Sequence, residues 1–289
     1  MKFHGMGFSP ECRLLVLLGI ACAVATAQVV SYPTFASTAG LSLQGSAAAI
    51  QTNDGIVLRL TKPVTWQAGS AFTAGTVPFQ IPGDTFSTFF QFRITNPGGI
   101  NPADGIVFVI REVGTPALGQ GGGAQGYDGI SHSIGIKFDT YQNEKEPNDN
   151  HVAVQTNGVW LDEFTQTPGG VANCTKPLGV AGCMSNGDLW SVWIDYDGGN
   201  IHVAVADGST KRPADLIYAP LSVPVVLNYA TDVFVGFTAA TGSGFENHDI
   251  VNWQYFSMYY PTPVGSEQQL PSTLISPPTG SAAQVRPAR

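Results

Sequence analysis

Residues 191–207 read SVWIDYDGGNIHVAVAD. Side chains alternate along both halves of this stretch. Val192, Ile194 and Tyr196 fall on one side of an extended chain and Trp193 and Asp195 on the other. Ile201, Val203 and Val205 do the same against His202 and Ala204. A period of two is the signature of a half-buried strand. The DGGN between the halves has the chemistry of a tight turn, so the stretch predicts a β-hairpin. Similar short runs recur at residues 41–43, 56–60, 85–94, 105–111, 133–141, 151–155, 225–227, 233–239 and 251–258. They are separated by Gly, Pro, Asn and Asp, and no helical period competes with them. Many strands without helices predict an all-β chain of two antiparallel sheets packed face to face.

The ends of the chain differ in composition from this middle. Residues 14–27, LLVLLGIACAVATA, form an apolar run that ends on small residues after a start containing Lys2 and Arg13. That pattern predicts a cleaved export signal over residues 1–27, too short for a membrane span. Residues 28–260 are expected to form one domain. Residues 261–289, rich in Pro, Ser and Thr and without an aromatic residue, are expected to be a disordered tail. The reading is of a secreted or periplasmic protein with no membrane span. Removing Lys2, Arg13 and Glu11 from 13 basic and 21 acidic residues leaves a net charge of about −9. No basic cluster offers a nucleic-acid footprint. Two of the four cysteines fall in the leader, and an oxidising destination predicts a disulfide between Cys174 and Cys183.

The densest chemistry lies at residues 136–151, IKFDTYQNEKEPNDNH. Asp139, Asn143, Glu146, Asp149 and His151 offer oxygen and imidazole ligands, and the carbonyl of Tyr141 is a further oxygen. Hard oxygens at this spacing suit calcium, although a polar loop after a strand is the plainer reading. Lys137 shares a strand face with Asp139, where a ligand would be expected.

Three further pieces appear along the chain: NPADGIVFVI at residues 101–110, GGGAQGY at 121–127, and VGFTAATGSGFENHDIVNWQYFS at 235–257. Together with FDTYQN and the early LSLQGSAAAI, they resemble the L-type, or legume-type, lectin family in order and over nearly the whole domain. The chain is taken as a microbial-looking secreted member. The resemblance implies a concanavalin A-like jelly-roll sandwich that binds a glycan in a shallow loop site. Asp104, after a cis link from Ala103, would accept from sugar hydroxyls. Gly122 or Gly123 would donate through the backbone, Asn143 would join metal and sugar, and Gly242, Ser243 and Gly244 would add a last contact. Tyr127 is the expected stacking aromatic, with a core role as the alternative.

For the metals, the resemblance implies calcium on Asp139, the Tyr141 carbonyl, Asn143 and Glu146, with Asp149 as the alternative to Glu146. The family's second, transition ion uses a glutamate two residues before the aspartate and a histidine. Here those positions are Lys137 and His151. An ammonium cannot ligate, so Lys137 is expected to replace manganese and pair with Asp139 and Glu146. A lysine turned to solvent beside a metal-free loop is the alternative. The His248-Asp249 pair is expected to hydrogen-bond within the sandwich, and Trp190, Trp193 and Trp253 to be core or sheet-face residues. The expected activity is binding, without catalysis. A glycoside hydrolase needs two flanking carboxylates, and only Asp195 and Asp197 come near that pattern. A structural or adhesion domain without a sugar site is the other alternative. The implied partner is a glycan, and homodimerisation is left open.

Overall fold

The computed structural model describes residues 29–79, 83–160, 163–166 and 183–271. The expected leader at 1–27 and Cys174 lie outside them. In chain order the strands are β1 (Val29–Tyr32), β2 (Leu41–Gly45), β3 (Ala48–Thr52), β4 (Gly55–Thr61), β5 (Ala68–Thr73), β6 (Val77–Pro78), β7 (Phe86–Gly99) and β8 (Gly105–Glu112). They continue as β9 (Ser133–Asp139), β10 (His151–Thr156), β11 (Glu163–Gln166), β12 (Trp190–Tyr196), β13 (Asn200–Asp207), β14 (Ile217–Pro220), β15 (Asp232–Ala240) and β16 (Gly244–Phe256). One sheet has the order β14-β13-β12-β7-β16-β4-β3, with β1 added on β16. The second has the order β11-β10-β9-β8-β15-β5-β2, with β6 added on β15. Every described pairing is antiparallel, as the period-two reading expects. The opening hairpin is β12–β13, and the Asp197 carboxylate accepts from the N–H groups of Gly199 and Asn200 in its turn.

The core lies between the sheets, and β7 shows how the alternation builds it. Phe86, Phe90 and Phe92 point inward, while Phe89 lies on the outer face with Trp193 and Ala204. Phe90 pairs across its own sheet with Val192 and Trp253. Its ring meets rings from three strands of the other sheet: Phe237 at 4.9 Å, Phe138 at 5.8 Å and Phe108 at 6.1 Å between centroids. The Phe237 and Phe138 contacts are edge-to-face, a favoured arrangement for aromatic pairs. Trp190 and Trp253 belong to this core, and Trp193 to the outer cluster.

Two expectations are corrected, and one strand had not been expected. Residues 225–227 are not a strand: Val223–Val226 forms a single helical turn. Pro224 in its first turn has no N–H for a strand ladder and a φ already suited to a helix. β5, reading AGSAFT, lacked a strong strand signal because it is built of small residues. Its Gly69 leaves no room for a side chain, since a Cβ there would lie 2.0 Å from the Leu60 carbonyl oxygen of β4 in the facing sheet. Residues 261–271, assigned to the disordered tail, are ordered on the outer face of the first sheet. Trp193 Nε1 donates to Gln268 at 2.8 Å, Arg212 donates to the Thr262 carbonyl at 2.9 Å, and the backbones of Lys211 and Glu267 form an isolated antiparallel bridge. Composition rightly denied this segment a core of its own, but a sheet rich in donors holds it through carbonyls and amides.

Phe90→Ala should cost about 3–5 kcal/mol, because its cavity would open where rings from both sheets meet. Chemical denaturation should show a lower midpoint with little change in slope.

Candidate functional site

Strand register assembles the site. Gly105, the first residue of β8, pairs with Asp139 of β9 on one side and Ala240 of β15 on the other. Asp104, the loop after Asp139 and the loop after Ala240 therefore emerge side by side at one end of the second sheet. The link from Ala103 to Asp104 is cis, as the resemblance implies. The Asp104 N–H donates to the Ala240 carbonyl at 3.1 Å, and its carbonyl accepts from the Thr140 N–H at 3.1 Å.

The glycine cluster reaches this point from between β8 and β9. Gly122–Ala124 forms a 3-10 turn, and Gln125 follows in the left-handed conformation. Gln125 is buried, and its Nε2 donates to the Asp104 carbonyl and to Asp139 Oδ2, each at 2.7 Å. One side chain thus ties the glycine turn to Asp104 and to the acidic loop. Gln125 was not among the residues expected from GGGAQGY, where the glycines and Tyr127 were; the one amide side chain within it was the available signal.

A buried charged cluster lies alongside. Lys137 Nζ is 2.7 Å from Glu146 Oε1 and 3.3 Å from Asp139 Oδ2, and all three side chains are nearly fully buried. Asp139 Oδ1 accepts from the Tyr141 N–H at 2.8 Å, and Glu146 Oε2 accepts from the Asn143 N–H. Burial pushes the Asp139 carboxyl up, while Lys137 pulls it back down. Glu146, rather than Asp149, is the carboxylate that joins Asp139 and His151; ligand atoms of these three lie within 4.8 Å of one another.

Asp104, Asn143 and the glycines form a cradle. Asp104 Oδ2 and Asn143 Nδ2 are buried and have no hydrogen-bond partner. A Cβ on Gly123 would lie 2.7 Å from Asn143 Oδ1, and one on Gly242 would lie 3.4 Å from Asp104 Oδ2 and 3.7 Å from Gly122. A side chain at 123 would have to displace the Asn143 amide, whereas a methyl at 242 would only come into contact with Asp104. Burial, with repulsion from Asp139, Glu246 and Glu146, pushes the Asp104 carboxyl up to about 8. Of the remaining expected contacts, Ser243 is exposed on the loop rim. Gly244 lies close to Asn101 and Ala103, and its carbonyl accepts from the Gly242 N–H at 3.0 Å. Tyr127 is not a stacking surface. It is fully buried with Phe72, Val107, Val109 and Ile130, and Ser133 donates to its hydroxyl at 2.9 Å.

Beneath the cradle lies a second buried polar group that the sequence reading missed. Glu246 accepts from Thr140 Oγ1 and from Ser185 Oγ, the latter at 2.8 Å. His248 lies 3.3 Å from Glu246 through Nε2 and bonds Thr61 through Nδ1. Asp249 takes a two-pronged pair from Arg59 at 2.7 Å. The histidine and aspartate thus serve the sandwich itself. Glu246 stood within FENHD as an acid two residues before the histidine, which was the only local hint.

The two implied metals fare differently against these residues. Asp139, Glu146, the Asn143 amide and the Tyr141 carbonyl supply hard oxygens of the kind calcium takes, so the donor set fits that ion. The transition ion does not fit. Its position would fall between Asp139, Glu146 and His151, where the Lys137 ammonium already meets both carboxylates. The ammonium donates only, so it cannot supply the further ligand which that ion would need beside the two carboxylates. Cys183 is disulfide-bonded, and its expected partner lies outside the described residues.

Comparison with known proteins agrees with this architecture. A model of the legume lectin domain matches residues 28–272. A lectin-like protein of Arabidopsis thaliana is 27% identical over 88% of this chain and 97% of its own length. A probable L-type lectin-domain containing receptor kinase I.5 from the same plant is 27% identical over 74% of this chain. The chain spans about a third of the length of the receptor kinases it matches. The crystal structure of basic winged bean lectin with Tn-antigen superposes with a TM-score of 0.63 at 27% identity, covering 80% of this chain and 98% of that one. These relatives are plant proteins, so the microbial origin expected above has no support. With a family model matching most of its length and a sandwich shared with a solved lectin, the chain belongs to the legume lectin domain family.

Proposed function

We propose that this chain is an exported lectin that binds a glycan in the cradle of Asp104, Asn143, Gly122, Gly123 and Gly242. The observation that carries the reading is the pair of buried, unpartnered groups, an acceptor at Asp104 Oδ2 and a donor at Asn143 Nδ2, within a legume lectin domain. A buried polar atom without a partner is costly. A sugar hydroxyl both donates and accepts, so one pyranose can satisfy both groups. Asp104 accepts a hydrogen bond from the hydroxyl, Asn143 donates one through its amide N–H, and the glycine backbone lets the ring approach closely. The winged bean lectin with its bound antigen supports this class of ligand.

Asp139, Glu146, the Tyr141 carbonyl and the Asn143 amide would hold one calcium, whose charge would offset the buried acids and hold the loop of Asn143 in place. Export rests on the leader pattern at residues 1–27. A binder is favoured over a hydrolase because the two candidate acids are committed elsewhere. Asp195 is paired to Arg212 at 2.9 Å, and Asp197 caps the β12–β13 turn and contacts His202. Pairing of two copies would raise avidity without a new sugar contact.

Asp104→Asn should lower glycan binding at least tenfold while leaving the melting temperature within a few degrees, since the carboxylate faces ligand rather than core. Unchanged affinity on a glycan array would remove this site. Gly123→Ala should weaken binding as well, because its methyl would displace the Asn143 amide, an effect visible in the amide resonances of the loop. Binding on the array should fall after chelation and return when calcium alone is added. Sustained release of reducing ends from polysaccharide, lost in Asp195→Asn, would establish the hydrolase instead.

A further inference from the structure

We propose that the Lys137 ammonium is the permanent cation of this loop, standing in for a transition ion and fixing Asn143 for its ligand. The proposal deepens the single-calcium reading above. Lys137 sits in the middle of β9, paired with Val107 on β8 and Ala153 on β10, so its stem rises from the interior of the sheet. It is 1% exposed. A buried charge is tolerated only when paired and hydrogen-bonded, and Lys137 has Glu146 at 2.7 Å and Asp139 at 3.3 Å. The lysine turned to solvent, the alternative at the outset, is therefore excluded by its burial.

The pair has a mechanical consequence. Glu146 lies on the loop between β9 and β10, and Lys137 Nζ holds its Oε1 against the strand. The other oxygen of Glu146 accepts from the Asn143 N–H. A chain of contacts thus runs from the sheet through Lys137 and Glu146 to the residue whose amide faces Gly123. On the other side, Asp139 Oδ2 receives Gln125, which also holds the Asp104 carbonyl. Lys137 is accordingly a positioning residue for both polar groups of the cradle.

Charge balance supports the exchange. In relatives of the kind the resemblance implies, three carboxylates meet two divalent ions, a net charge of +1. Here two carboxylates, one ammonium and one calcium give the same net charge. A lysine in place of one acid and one metal ion therefore leaves the net charge of the loop unaltered.

The test is elemental analysis of the full chain after chelation, dialysis and incubation with calcium and manganese together. Wild type should take up calcium and less than a tenth of an equivalent of manganese. Stoichiometric manganese alongside calcium would overturn the proposal. Lys137→Glu should gain about one equivalent of transition metal, read by visible absorption with cobalt(II), and its melting temperature should rise when manganese is added. Lys137→Met should gain neither. A folded Lys137→Glu that takes up no transition ion would also count against the exchange. If that variant fails to fold, the wild-type metal content still decides. Failure of sugar binding on the array would remove the lectin reading and leave the metal result standing, so the two are separable.

Discussion

The site depends on one close approach. Gly105 lies between Asp139 and Ala240 in the sheet, and a Cβ there would fall 2.2 Å from the Phe138 carbonyl and 2.9 Å from Gln125 Nε2. Only a glycine lets β8 start so near its neighbours. Its register sets where Asp104, Thr140 and Thr241 leave the sheet. A slip of one residue would reverse every side chain on the strand. It would send Ile106, Phe108 and Ile110 out of the core as it moved Asp104 away from Asn143. Core and cradle are thus specified by the same pairing.

The fold was legible where residue size follows the two-residue period. β7, β8, β12 and β13 carry large inward residues that alternate mostly with smaller or polar ones, Phe89 and Trp193 excepted, and their runs could be recognised locally. β5 could not, because its small residues answer to the nearness of β4 in the facing sheet, a contact with no local trace. The ordered segment after residue 260 was hidden for a related reason. Its contacts are made by backbone carbonyls and Gln268, which composition counts as polar and solvent-seeking.

The site was legible as a set of types more than as a set of contacts. Asp104, Asn143, Gly123 and Gly242 do meet, and Lys137 stands beside Asp139 and Glu146 as the resemblance implied. Tyr127 was misassigned because an aromatic next to a glycine turn looks the same whether it faces out or in. Gln125 and Glu246 went unseen since each acts on residues far along the chain: Gln125 on Asp104 and Asp139, Glu246 on Thr140 and Ser185. Both are buried polar groups whose purpose becomes visible only when their partners are folded around them.

The segment at residues 261–271 carries a consequence for assembly geometry. By lying on the outer face of the first sheet, it roofs Trp193 and lines a cavity of about 680 Å³ together with Phe89, Asp195 and Gln254. Those side chains can no longer form a flat contact with another subunit. Two copies joined in solution would have to meet along a different surface or lift this roof first. The spacing and relative tilt of two cradles, and so the branching pattern of a ligand able to bridge them, would then be governed by eleven residues that touch neither cradle.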